Sequence, residues 1–211
     1  MRHIRYAVLV WAALGGVAAA QSPTAADDSR GYIEGVAQSA FGNVTSQSFG
    51  GEIGVKVRPG LQVFVDGGYV RDTTPGALSS RAQSIAADIS TKAGGGTYRV
   101  KQPVTFGVAG IKYWLPVDQS RFAPYVMFGG GMARVQEDTT FTVATGNVSD
   151  YVAVGSDLVG TQTKGMISGG VGVDVAVGRS FYVDLQYRFG RVFTTDGLNI
   201  NRAGAGVGVR F

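Results

Sequence analysis

The chain ends in Arg202-Ala-Gly-Ala-Gly-Val-Gly-Val-Arg-Phe211, a stretch that alternates between two kinds of residue. Its apolar positions are Ala203, Ala205, Val207, Val209 and Phe211, and the positions between them are Arg202, Gly204, Gly206, Gly208 and Arg210. Successive side chains of a β-strand point to opposite faces. The stretch therefore predicts a strand with one apolar face and one face of glycine and charge.

The same alternation recurs along the chain. We count eight such segments, at 31–41, 47–57, 61–71, 101–114, 122–136, 164–177, 180–193 and 200–211. Each has about the ten-residue length of a tilted strand that crosses a bilayer. After the amino terminus, no uncharged apolar run approaches the roughly 20 residues that a membrane-spanning helix needs. The segments therefore predict membrane strands.

The connections between these segments alternate in length. Tight turns are predicted at 58–60, 116–121 and 178–179, and longer connections at 42–46, 72–100, 137–163 and 194–199. Short periplasmic turns that alternate with long outer loops are typical of outer-membrane barrels. The sequence thus predicts an all-β fold, an eight-stranded antiparallel up-and-down transmembrane β-barrel.

The chemistry of the two faces separates this fold from a soluble barrel. A soluble barrel or sandwich fills its core with large apolar side chains, whereas here the second face carries glycine and charges of both signs. Aromatic residues also fall near the segment ends, as interfacial girdles require. Near the short turns these are Tyr113, Trp114, Phe122, Tyr125, Phe181 and Phe211, and near the long loops Phe41, Phe49, Tyr69, Phe189 and Phe193.

The amino terminus reads as a secretory signal peptide over 1–20. It has a short basic start, an apolar stretch and small residues from Ala18 to Ala20, and we expect cleavage before Gln21. A membrane anchor is the alternative, but the apolar run is too short. Residues 21–30 are then a periplasmic tail, and residues 31–211 form the barrel.

Composition narrows the function. The 211 residues include no Cys and a single His, His3, which lies in the predicted signal peptide. Without a His base or a Cys nucleophile in the exported chain, we expect no enzyme, no catalytic or metal-ligating residues and no cofactor. The formal charge of +4 includes Arg2 and Arg5 of the leader, and no basic stripe follows. A nucleic-acid partner is therefore not expected.

The inward face of the predicted barrel carries charges of both signs. They are Glu34, Glu52, Asp66, Asp174 and Asp184 against Lys56, Lys112, Arg134, Arg188, Arg202 and Arg210. An eight-stranded barrel has an interior only wide enough for side chains to fill, and buried charges must be paired. We therefore expect a structural plug in the lumen. An ion path is the alternative.

The two longest loops are the expected sites of surface contacts. In the second loop, Leu78, Ala82, Ile85 and Ile89 have helical spacing, which predicts a short amphipathic helix packed on the rim or exposed to a ligand. We expect the third loop to extend as a hairpin beyond the membrane. We expect loops 72–100 and 137–163 to bind an extracellular ligand, whose identity the sequence does not give.

The whole pattern resembles a known family. A leader, eight alternating strands, long outer loops and a final Phe211 are similar to small bacterial outer-membrane barrels, the OmpA-like, opacity and OmpX-type proteins. Gly206, Val209 and Phe211 match the carboxyl-terminal assembly signal of that family, although Ala203 stands where a polar residue is usual. The resemblance implies residence in the bacterial outer membrane, contact with its lipid, and recognition of the last strand by the barrel-assembly machinery.

Two functions follow as hypotheses. The first is a structural and surface-interaction role, adhesin-like, in which a closed barrel stabilises the membrane and displays its loops. The second is a small passive channel for ions or apolar solutes, similar to the OmpW-type proteins.

Overall fold

The computed structural model describes residues 29–93, 96–116, 121–143, 146–147 and 159–211. The strands in this part of the chain are β1 (Gly31–Phe41), β2 (Ser46–Arg58), β3 (Leu61–Val70), β4 (Gly96–Lys101), β5 (Val104–Trp114), β6 (Phe122–Val143), β7 (Gly146–Asn147), β8 (Gly160–Ala176), β9 (Phe181–Val192) and β10 (Leu198–Arg210). One helix, α1 (Gly76–Ala93), lies between β3 and β4. The predicted signal peptide, its cleavage site and most of the tail lie outside the described residues.

Eight of the strands close into a barrel. Each is antiparallel to its neighbours in the order β1, β2, β3, β5, β6, β8, β9, β10, and β10 pairs again with β1. Each predicted segment overlaps one barrel strand, so the predicted eight-stranded antiparallel barrel is confirmed. Closure pairs every barrel strand on both sides, which a sheet surrounded by lipid requires.

The strands are strongly tilted. When the paired residues are followed once around the barrel from Gly31, the path returns to β1 at Phe41, ten residues further along the same strand. This stagger fixes how far the strands lean from the barrel axis, about 35–45° in barrels of this kind. It also decides which inward side chains meet at one level of the lumen.

The outer surface carries two levels of exposed aromatic side chains. Tyr113, Phe122, Phe181 and Phe211 are exposed at the end with the short turns, and Phe41, Phe49, Tyr69, Phe189 and Phe193 are exposed at the end with the long loops. Their positions agree with the predicted girdles. Trp114 and Tyr125 are different, because Tyr125 is buried and the Trp114 ring packs beside it. The prediction that these two face lipid is wrong.

β6 extends far beyond the barrel. Its last residues, 138–143, pair with β4 of the second loop, and Thr142 and Val143 also pair with the two-residue strand β7. The predicted hairpin of the third loop is therefore correct only for this short pairing. The end of β6 forms its longer pairing with β4, which belongs to the second loop. The alternation in the sequence did not predict this pairing. Residues 144–145 and 148–158 lie outside the described residues.

Helix α1 confirms the predicted helix of the second loop, but it packs mainly on β4 and the end of β6, beyond the barrel rim. Leu78, Ala82 and Ala86 are buried, and the two alanines form a small apolar cluster with Phe141 of β6. Ile85, Ile89 and Val100 pack against that cluster. None of the described helices is long and apolar enough to cross a membrane.

Candidate functional site in the barrel interior

The structure places most of the predicted inward charges inside the barrel. The buried ones are Glu34, Glu52, Asp66, Lys112, Asp174, Asp184, Arg188, Arg202 and Arg210. Lys56, near the end of β2, is half-buried. These side chains come from seven of the eight barrel strands, so the strand alternation alone brings them into one interior.

Arg134 is the exception, and its predicted inward position is wrong. On β6 the odd-numbered residues face inward, and Ala133 and Val135 on either side of Arg134 are buried while Arg134 is exposed. The run of Gly129, Gly130 and Gly131 hides the alternation, because glycine has no side chain to mark a face. The register of this strand was therefore set by its pairing with β5 and β8.

Three acids lie side by side on neighbouring strands. Glu34 of β1 is directly opposite Glu52 of β2, which is directly opposite Asp66 of β3. Like charges in this arrangement repel each other unless cations compensate them. The compensating groups come from other parts of the barrel.

Arg188 is the main compensating cation. Its Nη1 lies 2.7 Å from Asp66 Oδ2, and its Nη2 lies 2.7 Å from Glu52 Oε2. Its Nε donates a hydrogen bond to Gln186. β9, which carries Arg188, is four strands from β3 in either direction around the ring, so this side chain crosses the lumen from one wall to the other.

Lys112 on β5 compensates one of these acids, Glu52, from another direction. Its ammonium group forms an ion pair with Glu52 Oε1, which also accepts a hydrogen bond from the Tyr32 hydroxyl. The Nζ lies 4.5 Å from the ring centroids of both Tyr32 and Tyr125 and 5.5 Å from that of Trp114. The positive charge is thus enclosed by aromatic faces, which attract cations.

A second ion pair lies near the short turns. Arg210 Nη2 is 2.7 Å from Asp174 Oδ2, and the Trp114 Nε1 donates to the same oxygen at 3.3 Å. The Arg210 guanidinium also lies 4.4 Å above the Tyr182 ring. The last strand is therefore tied to β8 through its side chains although the two are not neighbours in the sheet.

Two buried acids have neutral partners. Glu34 accepts hydrogen bonds from the Tyr182 hydroxyl and from Gln186 Nε2, each at 3.0 Å, and Asp184 accepts one from the Tyr125 hydroxyl at 2.7 Å. The sequence analysis did not predict these partners, because the position of a tyrosine on an alternating strand is equally consistent with a place in the aromatic girdle.

Inward glycines make room for these tyrosines. Tyr32, Tyr125 and Tyr182 lie directly opposite Gly54, Gly172 and Gly208 on the neighbouring strands. A Cβ at Gly208 would overlap the Tyr182 ring, and the same holds for Gly172 beneath Tyr125. The missing side chain lets each ring lie flat across the next strand with its hydroxyl reaching a carboxylate.

Arg202 lies closer to the outer end of the lumen. Its guanidinium stacks 4.2 Å above the Phe106 ring, and its Nε and Nη2 are without hydrogen-bond partners among the described residues. Arg202 lies directly opposite Arg188 on the adjacent strand. Among the described residues, the charge of Arg202 is stacked on the aromatic face of Phe106 and forms no ion pair.

Above this polar network the interior becomes apolar. Side chains that face inward near the long loops and are almost completely buried are Ala40, Val70, Val104, Val135, Met166, Val192, Leu198 and Ile200. They come from seven of the eight barrel strands and form one cluster with Phe64 and Phe106. The lumen therefore has an apolar layer at the outer end and a charged layer beneath it.

The residues of the predicted assembly signal lie on the last strand. Phe211 is exposed on the outer surface, and its carbonyl accepts hydrogen bonds from Arg30 N at 2.7 Å and Gly31 N at 2.9 Å. Gly206 faces the lumen against Glu34, and Val209 is half-buried on the opposite face.

The described residues contain no group of three or more His, Cys, Asp or Glu that could hold a metal ion.

Comparison with known proteins agrees with this architecture. Residues 9–211 match the family described as outer membrane protein beta-barrel domain. The chain belongs to this family. It is thus a β-barrel of the bacterial outer membrane. Among curated protein sequences none matches significantly.

Two solved structures share the fold of this outer-membrane barrel. The crystal structure of Neisserial surface protein A (NspA) aligns with a TM-score of 0.54 and 14% identity, over 86% of this chain and 96% of that one. A major outer membrane protein from Thermus thermophilus aligns with a TM-score of 0.51 and 10% identity, over 86% and 99% of the two chains. At such identities the likeness concerns the fold alone.

Proposed function

We propose that this outer-membrane barrel is a structural protein with a closed interior, which displays its outer loops for contacts at the cell surface. The observation that supports a closed interior is the Arg188 side chain, which spans the lumen from β9 to Glu52 and Asp66 and is almost completely buried. A buried charge held by two carboxylates is costly to displace, because moving it away leaves the acids uncompensated.

The outer loops support the surface role. The two ends of the second loop are held together, since Asp72 Oδ1 accepts hydrogen bonds from the backbone of Thr74 and of Gln102 at 3.0 and 3.1 Å, and Thr73 Oγ1 donates to the Gln102 carbonyl at 2.8 Å. These bonds join the two ends of the loop beneath α1. A rigid scaffold that carries exposed loops is the usual arrangement of a binding surface.

Recording from the refolded chain in planar lipid bilayers tests the closed interior. We expect little or no conductance from the unmodified barrel and more from Arg188→Ala, because that variant removes the side chain that crosses the lumen. Arg134→Ala removes an exposed arginine and should leave the recording unchanged. Large, steady, ohmic openings of the unmodified barrel would instead establish the alternative function, a small passive channel for ions or apolar solutes.

Adhesion of intact cells tests the surface role. Cells that display the full chain should adhere to protein-coated surfaces more strongly than cells whose chain has residues 76–93 replaced by a short Gly-Ser linker. The matched control substitutes Arg99 and Lys101 of β4 with Gln, which alters surface charge and keeps the helix. Equal adhesion by cells with and without the helix would contradict a role for this loop.

A further inference from the structure

Three arginines lie on the outward face of the barrel at the level of the outer aromatic girdle. Arg71 is two residues beyond the exposed Tyr69 of β3, and Arg191 of β9 is two residues beyond the exposed Phe189. Arg134, on the outward face of β6, is exposed. We call Arg71, Arg134 and Arg191 the arginine belt.

The register, together with the stagger of ten residues over eight strands, places these residues within about two residues of a common level. Arg134 is directly opposite Thr105 of β5, which is directly opposite Tyr69 of β3. Arg191 is directly opposite Asn199 of β10 and Ile167 of β8. The girdle marks the boundary between the acyl chains and the headgroups, so the belt lies where headgroups of the outer leaflet begin.

Among the described residues, no acid compensates the positive charge of the belt. Arg71 Nη1 donates to Gln47 Oε1 at 2.5 Å and Arg191 Nη1 donates to Asn199 Oδ1 at 2.7 Å, and both acceptors are neutral amides. Across the described ranges, none of the three belt arginines forms an ion pair with a carboxylate. Each keeps donors that are free to bind an external anion.

The spacing of the belt suits a headgroup with more than one anionic group. β3, β6 and β9 are each two strands apart in the barrel order, which separates successive arginines by about 10 Å along the surface. Arginine side chains are long and extend from apolar surroundings to the interface with water. Two neighbouring guanidinium groups are therefore within reach of one large lipid headgroup.

We propose that the arginine belt binds the phosphate groups of lipid headgroups in the outer leaflet. A guanidinium presents parallel N–H donors that match two phosphate oxygens, and such charge-assisted bonds are stronger than neutral ones. The neutral side chains of Gln47 and Asn199 orient two of the guanidinium groups without cancelling their charge. The belt thereby fixes the barrel to particular lipids at its outer rim.

Native mass spectrometry of the full chain in maltoside micelles tests this inference, with bisphosphorylated lipid A as the probe and its dephosphorylated form as the reference lipid. The unmodified chain should retain the bisphosphorylated lipid and release the reference. At about fivefold per interfacial arginine, R71Q/R134Q/R191Q should bind it roughly 100-fold or more weakly. Equal retention of both lipids, or unchanged binding by this variant, would overturn the proposal.

A matched control separates the belt from general surface charge. R71Q/R134Q and R99Q/K101Q remove the same charge, but Arg99 and Lys101 lie on β4, beyond the barrel. The first variant should lose about 30-fold in affinity and the second less than about twofold. Equal losses would mean that only net charge matters, and would also overturn the proposal.

Two further measurements keep the test independent of folding defects. Heat-modifiable migration on a gel confirms that each variant is folded. For the unmodified chain, affinity for the bisphosphorylated lipid should fall as sodium chloride is raised, because salt screens exposed charges. Binding that does not depend on salt would contradict recognition through phosphate.

Discussion

At the scale of single residues, Arg188 has the largest part in the interior. It joins two acids on two different strands, and its partner Asp66 is 122 positions away in the sequence. The three acids Glu34, Glu52 and Asp66 lie in one row, so the loss of Arg188 leaves them facing each other across neighbouring strands. The charge of Lys112 remains, but it reaches only Glu52 among them.

We expect Arg188→Ala to destabilise the barrel strongly. Breaking a buried pair by removing one partner costs about 3–5 kcal/mol in soluble proteins, because the other charge stays buried without compensation. The midpoint of urea unfolding in lipid vesicles should fall accordingly. The control is Arg99→Ala on β4, whose exposed side chain lies beyond the barrel and should change the free energy of unfolding by less than about 0.5 kcal/mol. Equal stability of the two variants would show that Arg188 is not needed to hold the acids.

The tyrosines show how one residue depends on another across the sheet. Tyr182 reaches Glu34 only because Gly208, directly opposite, lets its ring lie flat. Tyr32 and Tyr125 have the same relation to Gly54 and Gly172. The high glycine content of the inward face is thus partly a requirement of the tyrosine–carboxylate contacts.

At the scale of elements, β10 closes the barrel through its backbone and also contributes a side-chain ion pair to the interior. Its backbone pairs with both β1 and β9, and Arg210 near its end forms the ion pair with Asp174. Phe211 continues the ladder by bonding to Arg30 and Gly31. A defect in this strand therefore affects closure, whereas a defect in a loop does not.

Removal of Phe211 should reduce assembly more than removal of the outer helix, residues 76–93. Phe211 contributes its backbone bonds to barrel closure and an exposed ring to the girdle, while a shortened loop costs little, because loop entropy depends weakly on length. The measurement is the folded, heat-modifiable fraction in the outer membrane. Equal folded fractions for the two deletions would remove the assembly role proposed for this residue.

The outer extension shows how elements of separate loops support each other. β4 from the second loop and the end of β6 from the third form a small sheet, and α1 covers it through Ala82, Ala86 and Phe141. The pairing of β4 with β6 creates an ordered platform above the membrane.

At the scale of the whole molecule, the lumen of the barrel consists of two layers that differ in chemistry. The charged layer lies toward the periplasmic turns, and the apolar layer lies beneath the loops. The ten-residue stagger around the barrel brings side chains from strands far apart in sequence to the same level. In the function proposed above, this arrangement resists the passage of ions, because an ion would have to cross both layers.

Export of the whole chain is the remaining proposal at this scale. We propose cleavage after Ala20, because small residues at Ala18 and Ala20 follow an apolar stretch. Intact-mass measurement of the outer-membrane fraction should give a chain that begins at Gln21. A mass corresponding to the full 211 residues would contradict the proposed cleavage.

The sequence by itself determined the fold class, the eight barrel strands and the face of most charged residues. The physical reason is that a period of two assigns each side chain to lipid or lumen from its position in the strand alone. This works wherever large or charged residues mark the faces, as on β9 and β10. It failed for Arg134, which follows Gly129, Gly130 and Gly131, and for Trp114 and Tyr125, whose aromatic rings suit either face.

Only the tertiary structure decided which inward groups meet. Alternation gives a face but not a level or a partner, and the level depends on the stagger of the closed barrel. Arg188 therefore pairs with Asp66 across the lumen, Tyr125 donates a hydrogen bond to Asp184, and β4 pairs with β6. The members of each pair are far apart in the sequence. Their contacts exist because closure brings distant strands to the same height, and no local pattern in the chain encodes that height.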